Sequence, residues 1–335
     1  MPVITLVCIL LCSCSSKYKS ADIRDLGAIW HPSTNRMAEI KGTQYDPTRV
    51  RAFANYSAIY SVAAVAVYDT ATTKEENIPF PSPNLEKWVE VLPRETGISD
   101  KKGFAARAWL RTKRDRSKEL VIAYRGTSGI SEGLGKDFYF ANLVPLTGAI
   151  IKNQYDLAYE YAQQAKNAVA EKVGDVPIVL TGHSLGGGLA EYVQRLLPGS
   201  KAITFDTSPN QGLLYSLFQK KSNKRESVRI YEKGEILSYL RYIISPDLCL
   251  EARPEGLGVR AARFNFYCCN PFTQHGSHDL SLALLRVSAS TGNKEALSII
   301  KQIEVRRDPL SLPPLHKNNI HRRKIRNEIL SKHYR

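Results

Sequence analysis

The stretch Pro177–Ala190, PIVLTGHSLGGGLA, constrains the chain more than any other. Pro177–Thr181 is a short apolar run with β-branched residues, the pattern of a buried strand. Gly182-His183-Ser184-Leu185-Gly186 fits G-x-S-x-G, and Leu189, Val193, Leu196 and Leu197 then repeat at helical spacing. Strand, sharp turn, helix is the setting in which this motif forms a nucleophile elbow. The turn forces Ser184 into a strained backbone conformation, so its neighbours must lack bulky side chains, and Gly182 and Gly186 meet that need. The following helix would aim its first N–H groups at the place where an oxyanion forms beside the serine hydroxyl.

A nucleophile on such a turn needs a sheet of parallel strands around it. ELVIAY (Glu119–Tyr124) and KAITF (Lys201–Phe205) read as further central strands, and Gly103–Leu110, Val228–Tyr231 and Arg263–Tyr267 as others. Val50–Tyr68, Asn153–Val173 and His278–Val287 carry apolar residues at three- and four-residue steps and read as helices. Thr70–Pro93, rich in proline, reads as irregular. The alternation predicts an α/β fold with a mostly parallel central sheet and helices on both faces. With 335 residues and 43% hydrophobic content, one large domain is expected, over residues 48–308.

The flanks read differently. Val3–Cys14 is nearly unbroken hydrophobicity, too short to span a bilayer but right for the apolar core of a signal peptide. Leu11-Cys12-Ser13-Cys14 resembles a bacterial lipoprotein box, with Cys14 as the lipidated residue. Residues 1–14 are therefore expected to be a leader, followed by a polar linker over 15–47. Residues 309–335 form a basic tail. From Lys301 onward ten Lys and Arg stand against Glu304, Asp308 and Glu328, within a chain of net charge +15. That balance suits an anionic surface. The expected location is outside the bacterial cytoplasm, as a membrane-anchored lipoprotein or a secreted protein. Cys249 could pair with Cys268 or Cys269 in an oxidising compartment. No cysteine or histidine spacing suggests a metal site, and no cofactor is expected.

A serine hydroxyl becomes nucleophilic when a histidine takes its proton and a carboxylate orients that histidine. The chain order in this fold is serine, acid, histidine. His183 lies inside the elbow and was expected to point away from the nucleophile. His278, between the last strand and an apolar helix, is favoured as the base, with His275 as the alternative. Glu235 is the favoured acid, and Asp206, Asp247 and Glu232 remain open. The oxyanion donors are expected from the backbone of Leu185 and of Thr127, after Arg125-Gly126.

Three blocks carry a family resemblance: AYRGTS, TGHSLGGGLA and YEKGEILSYL. With them the chain resembles the class 3 lipases, a family of α/β-hydrolases, over about Val50–Leu285. The resemblance implies Ser184 as nucleophile, Thr127 and Leu185 as oxyanion donors and His278 as base. It also implies a lid over Ser128–Gly135, extending towards Leu146. Glu235 stands where the family usually has Asp. The expected function is hydrolysis of lipid esters, with a phospholipid as the favoured substrate and an anionic membrane, not nucleic acid, as partner. An acyltransferase using the same residues, and a non-catalytic surface lipoprotein on a degenerate hydrolase fold, are the alternatives.

Overall fold

The computed structural model describes residues 47–68, 78, 80, 87–92, 104–126, 148–208, 226–232, 234–237, 259–264, 266 and 274–306. In chain order the elements are α1 (Pro47–Ala66), β1 (Lys87–Glu90), β2 (Ala106–Thr112), β3 (Lys118–Tyr124), α2 (Gly148–Val173), β4 (Ile178–His183), α3 (Leu185–Leu196), β5 (Ser200–Phe205), β6 (Ser227–Glu232), β7 (Val259–Phe264), α4 (Ser277–Ser290) and α5 (Lys294–Arg306). Among these, no helix is long and apolar enough to cross a membrane.

Seven strands form one sheet whose spatial order is their sequence order. β1–β2 and β2–β3 pair antiparallel, and every pairing from β3 to β7 is parallel. Period-two alternation sorts the strand side chains onto two faces. Leu120, Ile122, Tyr124, Ile178 and Leu180 pack under α2 and α3. Val121, Ala123, Val179, Ile203, Phe205 and Ile230 pack under α1, α4 and α5. With helices on both faces of a parallel sheet and a serine elbow between β4 and α3, the architecture is that of an α/β-hydrolase.

α1 runs against both the sheet and α4, which explains why it is apolar nearly all round. Hydroxyls fix its register: Ser61 Oγ lies 2.8 Å from Ser281 Oγ, and Ser288 Oγ donates to Asn55 Oδ1 at 2.8 Å. The basic turn between β2 and β3 closes through Lys113 N–H to Ser117 O, with Asp115 accepting from Ser117 and Arg116 in the left-handed region at φ 66°.

Two buried ion clusters tie elements together. Glu119 on β3 receives Arg111 at 2.9 Å, Lys113 at 2.6 Å and the Tyr60 hydroxyl at 2.8 Å, while Arg111 also reaches Glu295 of α5 at 3.0 Å. Burial alone would raise the Glu119 carboxyl, but its cationic partners hold it below the usual carboxylate range. Glu191 on α3 is gripped by both Arg229 nitrogens, at 2.6 and 2.5 Å, and accepts from Ser227 at 2.7 Å. Its carboxyl is likewise held low, Arg229 outweighing the cost of burial. The helix that follows the Ser184 turn is thereby bolted to β6.

The sequence reading placed the main elements and missed two. β1 lies inside Thr70–Pro93, read as irregular, and α5 was not anticipated. β7 begins four residues earlier than expected, because VRAARF pairs with β6 from Val259. The leader, Cys14, the linker to residue 46, the cysteines 249, 268 and 269, and the basic tail lie outside the described residues.

Candidate active site

The parallel strands β3, β4, β5 and β6 end along one edge, with Tyr124 paired to Gly182, His183 to Phe205 and Phe205 to Ile230. Segments leaving that edge carry the polar residues, the usual location of a site in an open α/β sheet. Ser184 sits where β4 becomes α3, with φ 56° and ψ −124°. A non-glycine residue in that region costs on the order of 1–3 kcal/mol and persists only when its surroundings enforce it. Here they do. Ser184 N–H donates to Phe205 O at 3.0 Å, and Ser184 O accepts from Gly188 and Ser208 at 3.2 and 3.0 Å. The elbow is also sterically tight. A Cβ on Gly186 would lie 2.1 Å from Tyr124 O, so the elbow helix approaches the neighbouring strand as closely as backbone allows.

α3 starts at Leu185, whose N–H belongs to the first turn that a helix leaves without an internal partner. That is the position expected of one oxyanion donor. The other expected donor, Thr127, lies outside the described residues, as do Asp247 and Ser128–Leu146. The residue before Thr127 is informative, because a Cβ on Gly126 would come within 3.3 Å of Ser184 Cβ. The Arg-Gly segment therefore runs directly beside the serine. Gly126 N–H donates to the Tyr68 hydroxyl at 2.9 Å, and that hydroxyl donates to His183 O at 3.4 Å. Tyr68 is only the last residue of the helix read from periodicity, so nothing in the sequence marks it as a strut between the two segments.

The carboxylates separate into distinct roles. Glu235 is fully buried, and its Oε2 accepts from Leu237 N–H at 2.7 Å and lies 2.7 Å from His275 Nδ1. Asp206 is equally buried, in the left-handed region at φ 42°. Its Oδ1 accepts from Glu232 N–H at 2.7 Å and its Oδ2 lies 3.8 Å from His183 Nε2. Glu232 turns away from this group to accept from Phe266 N–H at 2.8 Å, clipping the end of β6 to the segment after β7.

Of the two candidate bases, the structure brings His275 to the acid. His275 is 2% exposed and its ring lies 4.6 Å from that of His183. His278, the favoured residue in the sequence, occupies the first turn of α4 with a side chain 31% exposed, 3.9 Å from Asp279. Three residues separate them, nearly one helical turn, which carries His278 out of the cleft. A carboxylate against Nδ1 fixes the tautomer that leaves Nε2 as an acceptor. Burial, and then the neighbouring His183, push the His275 imidazole below its ordinary value, against the opposing pull of Glu235. Burial and His183 both favour the neutral form of the ring. His183, expected to point away from the nucleophile, has its ring beside that of His275. It forms, with Asp206 and His275, a buried group whose ligand-type atoms all lie within 4.8 Å of one another, the one cluster among the described residues with metal-ligand composition.

A family model described as phospholipase-like, Tle-like phospholipase domain, matches residues 61–249, a span that includes Ser184 and Glu235 and stops short of His275. Among solved structures, the chain is similar to the lipase from Rhizopus microsporus var. chinensis at 15% identity and a TM-score of 0.37, over 58% of this chain and 69% of that one. Lipase II from Rhizopus niveus gives 13% identity and 0.36, over 61% and 77%. M37 lipase gives 13% and 0.37, over 76% and 98%. No curated protein matches the sequence.

Proposed function

The chain belongs to the Tle-like phospholipase-domain family, and from that premise we propose that it hydrolyses carboxyl esters of phospholipids through Ser184, His275 and Glu235. The observation that carries the reading is the buried 2.7 Å contact between His275 Nδ1 and Glu235 Oε2, in a fold whose elbow holds Ser184 at φ 56°. In this scheme His275 Nε2 takes the Ser184 proton as Oγ attacks the acyl carbonyl carbon. Glu235 keeps the imidazole oriented and stabilises the imidazolium that forms. The Leu185 and Thr127 amides hold the oxyanion of the tetrahedral intermediate. Collapse breaks the ester bond, His275 returns the proton to the departing alcohol, and an acyl-serine remains. Water, deprotonated by the same imidazole, then releases the fatty acid. No metal or cofactor takes part in these steps.

This reading moves the base from His278 to His275 and assigns Asp206 a place beside His183 in preference to the acid role. It retains the expected export. Val3–Cys14 would direct the chain out of a bacterial cytoplasm, Cys14 would carry the lipid anchor, and the +15 net charge would favour anionic bilayers. The discriminating experiment is covalent labelling by a fluorophosphonate. The adduct should map to Ser184. The labelling rate should fall about 10³-fold in His275→Ala, as expected when a triad loses its base, and stay within a few-fold of wild type in His278→Ala. The opposite ranking would restore His278, and an unlabelled Ser184 would remove the hydrolase reading.

A further inference from the structure

We propose that His183, Asp206 and His275 form an inhibitory metal site that takes a single borderline divalent cation, Zn²⁺ above all. The catalytic consequence rests on the reading of His275 as the base; the binding itself does not. The three residues come from three different segments at the sheet edge: the end of β4, the residue after β5 and the turn before α4. Each offers one ligand atom, and all of these lie within 4.8 Å of one another. Zn²⁺ holds nitrogen and carboxylate oxygen at about 2.0–2.2 Å, so two ligands of one tetrahedral ion sit about 3.4 Å apart. The His183 Nε2 to Asp206 Oδ2 distance of 3.8 Å is a few tenths of an ångström beyond that. Closing the widest pair needs about 1.4 Å at most, shared between two side chains.

The outer partners are in place as well. Metal-binding imidazoles present one nitrogen to the ion and hand the other to a carboxylate or carbonyl, and ligating carboxylates are themselves hydrogen-bonded. His275 gives Nδ1 to Glu235 at 2.7 Å, which turns Nε2 towards the cluster. Asp206 Oδ1 is fixed by Glu232 N–H at 2.7 Å, and Oδ2 is the oxygen that faces His183 Nε2 at 3.8 Å. Two imidazoles and one carboxylate favour Zn²⁺, Co²⁺ or Ni²⁺ over Mg²⁺ or Ca²⁺, which prefer all-oxygen shells. A fourth position remains for water. Bound there, the ion occupies the Nε2 lone pair that has to receive the Ser184 proton, so one ion silences one active site. The sequence concealed the set because its members are far apart along the chain and match no ligand spacing.

The test uses the full-length protein with Zn²⁺ alone, and a soluble short-chain ester as substrate. Micromolar Zn²⁺ should lower the wild-type rate at least about tenfold, which corresponds to saturation well above the dissociation constant. EDTA should restore it, and Mg²⁺ and Ca²⁺ should do nothing. Each variant is read as its own ratio of rates with and without Zn²⁺, and both His183→Gln and Asp206→Asn should bring that ratio close to one. An independent reading is calorimetry on Ser184→Ala, which should bind one Zn²⁺ that is lost when His183→Gln is added. Should both substitutions unfold the protein, Co²⁺ added to wild type decides by its visible spectrum. Intense tetrahedral bands that disappear with Zn²⁺ support the site, and the weak spectrum of an all-oxygen shell overturns it. Absence of inhibition in an active enzyme, or inhibition that survives both substitutions, also overturns it. Either result would leave the hydrolase reading intact, since that reading is judged without metal by labelling of Ser184.

Discussion

At the scale of single residues, the site is a set of local costs accepted for position. Ser184 at φ 56° and Asp206 at φ 42° both occupy backbone space that favours glycine. The strain at Ser184 can be isolated by comparing two inactive variants. Ser184→Gly should be more stable than Ser184→Ala by about 1 kcal/mol, because only alanine keeps the Cβ that the left-handed conformation penalises. Urea unfolding measures the difference, and equal stabilities would mean the turn relaxes. The imidazole makes a second residue-level prediction. Burial and His183 lower the affinity of His275 for a proton, and catalysis needs the neutral ring. The acid limb of kcat/KM on an uncharged ester should therefore fall below the ordinary histidine value of about 6.5, with activity persisting into mild acid. Glu235→Gln removes the interaction that opposes this shift. It should move the limb further down and cut kcat by about 10²–10⁴. A limb above about 6.5 in wild type would contradict the assignment of His275 as the base. The placements legible in the sequence are the local ones: Ser184 at a strand-to-helix turn inside its motif, and Glu235 three residues past a strand. The choice between His275 and His278 was illegible because they stand three positions apart at the start of one helix, and only the folded chain buries His275, before the helix, against Glu235 while leaving His278, in its first turn, partly exposed.

At the scale of elements, most of the architecture could be read from periodicity. β3, β4 and β5 are continuous apolar runs of the kind buried on both faces, and α2 has one apolar side. The two misses have physical reasons. β1 is an edge strand of four residues, KWVE, in which only Trp88 is buried, so it carries almost no pattern. α5 is held partly by Glu295, which meets Arg111 and Trp88, and such contacts leave no trace in sequence. The attachment of α3 to the sheet was equally hidden, since Glu191 and Arg229 look like surface residues. Glu191→Gln should destabilise the protein by about 3–5 kcal/mol, because it leaves the buried Arg229 cation uncompensated. Chemical denaturation checks this, and a loss under about 1 kcal/mol would show that water or another anion takes over the guanidinium.

At the scale of the whole molecule, a mostly parallel seven-stranded sheet places a strained serine, a buried imidazole and a buried carboxylate at one edge. The full sequence carries a net charge of +15, a property that concentrates a protein on anionic bilayers at low ionic strength. The proposed reaction is cleavage of a phospholipid ester at a lipid surface, on the acyl side of the glycerol oxygen. The most direct measurement is product analysis after incubation with anionic phospholipid vesicles. The account predicts free fatty acid and lysophospholipid from the wild-type chain and neither from Ser184→Ala. Release of the phosphorylated head group, or equal product from both proteins, would contradict it.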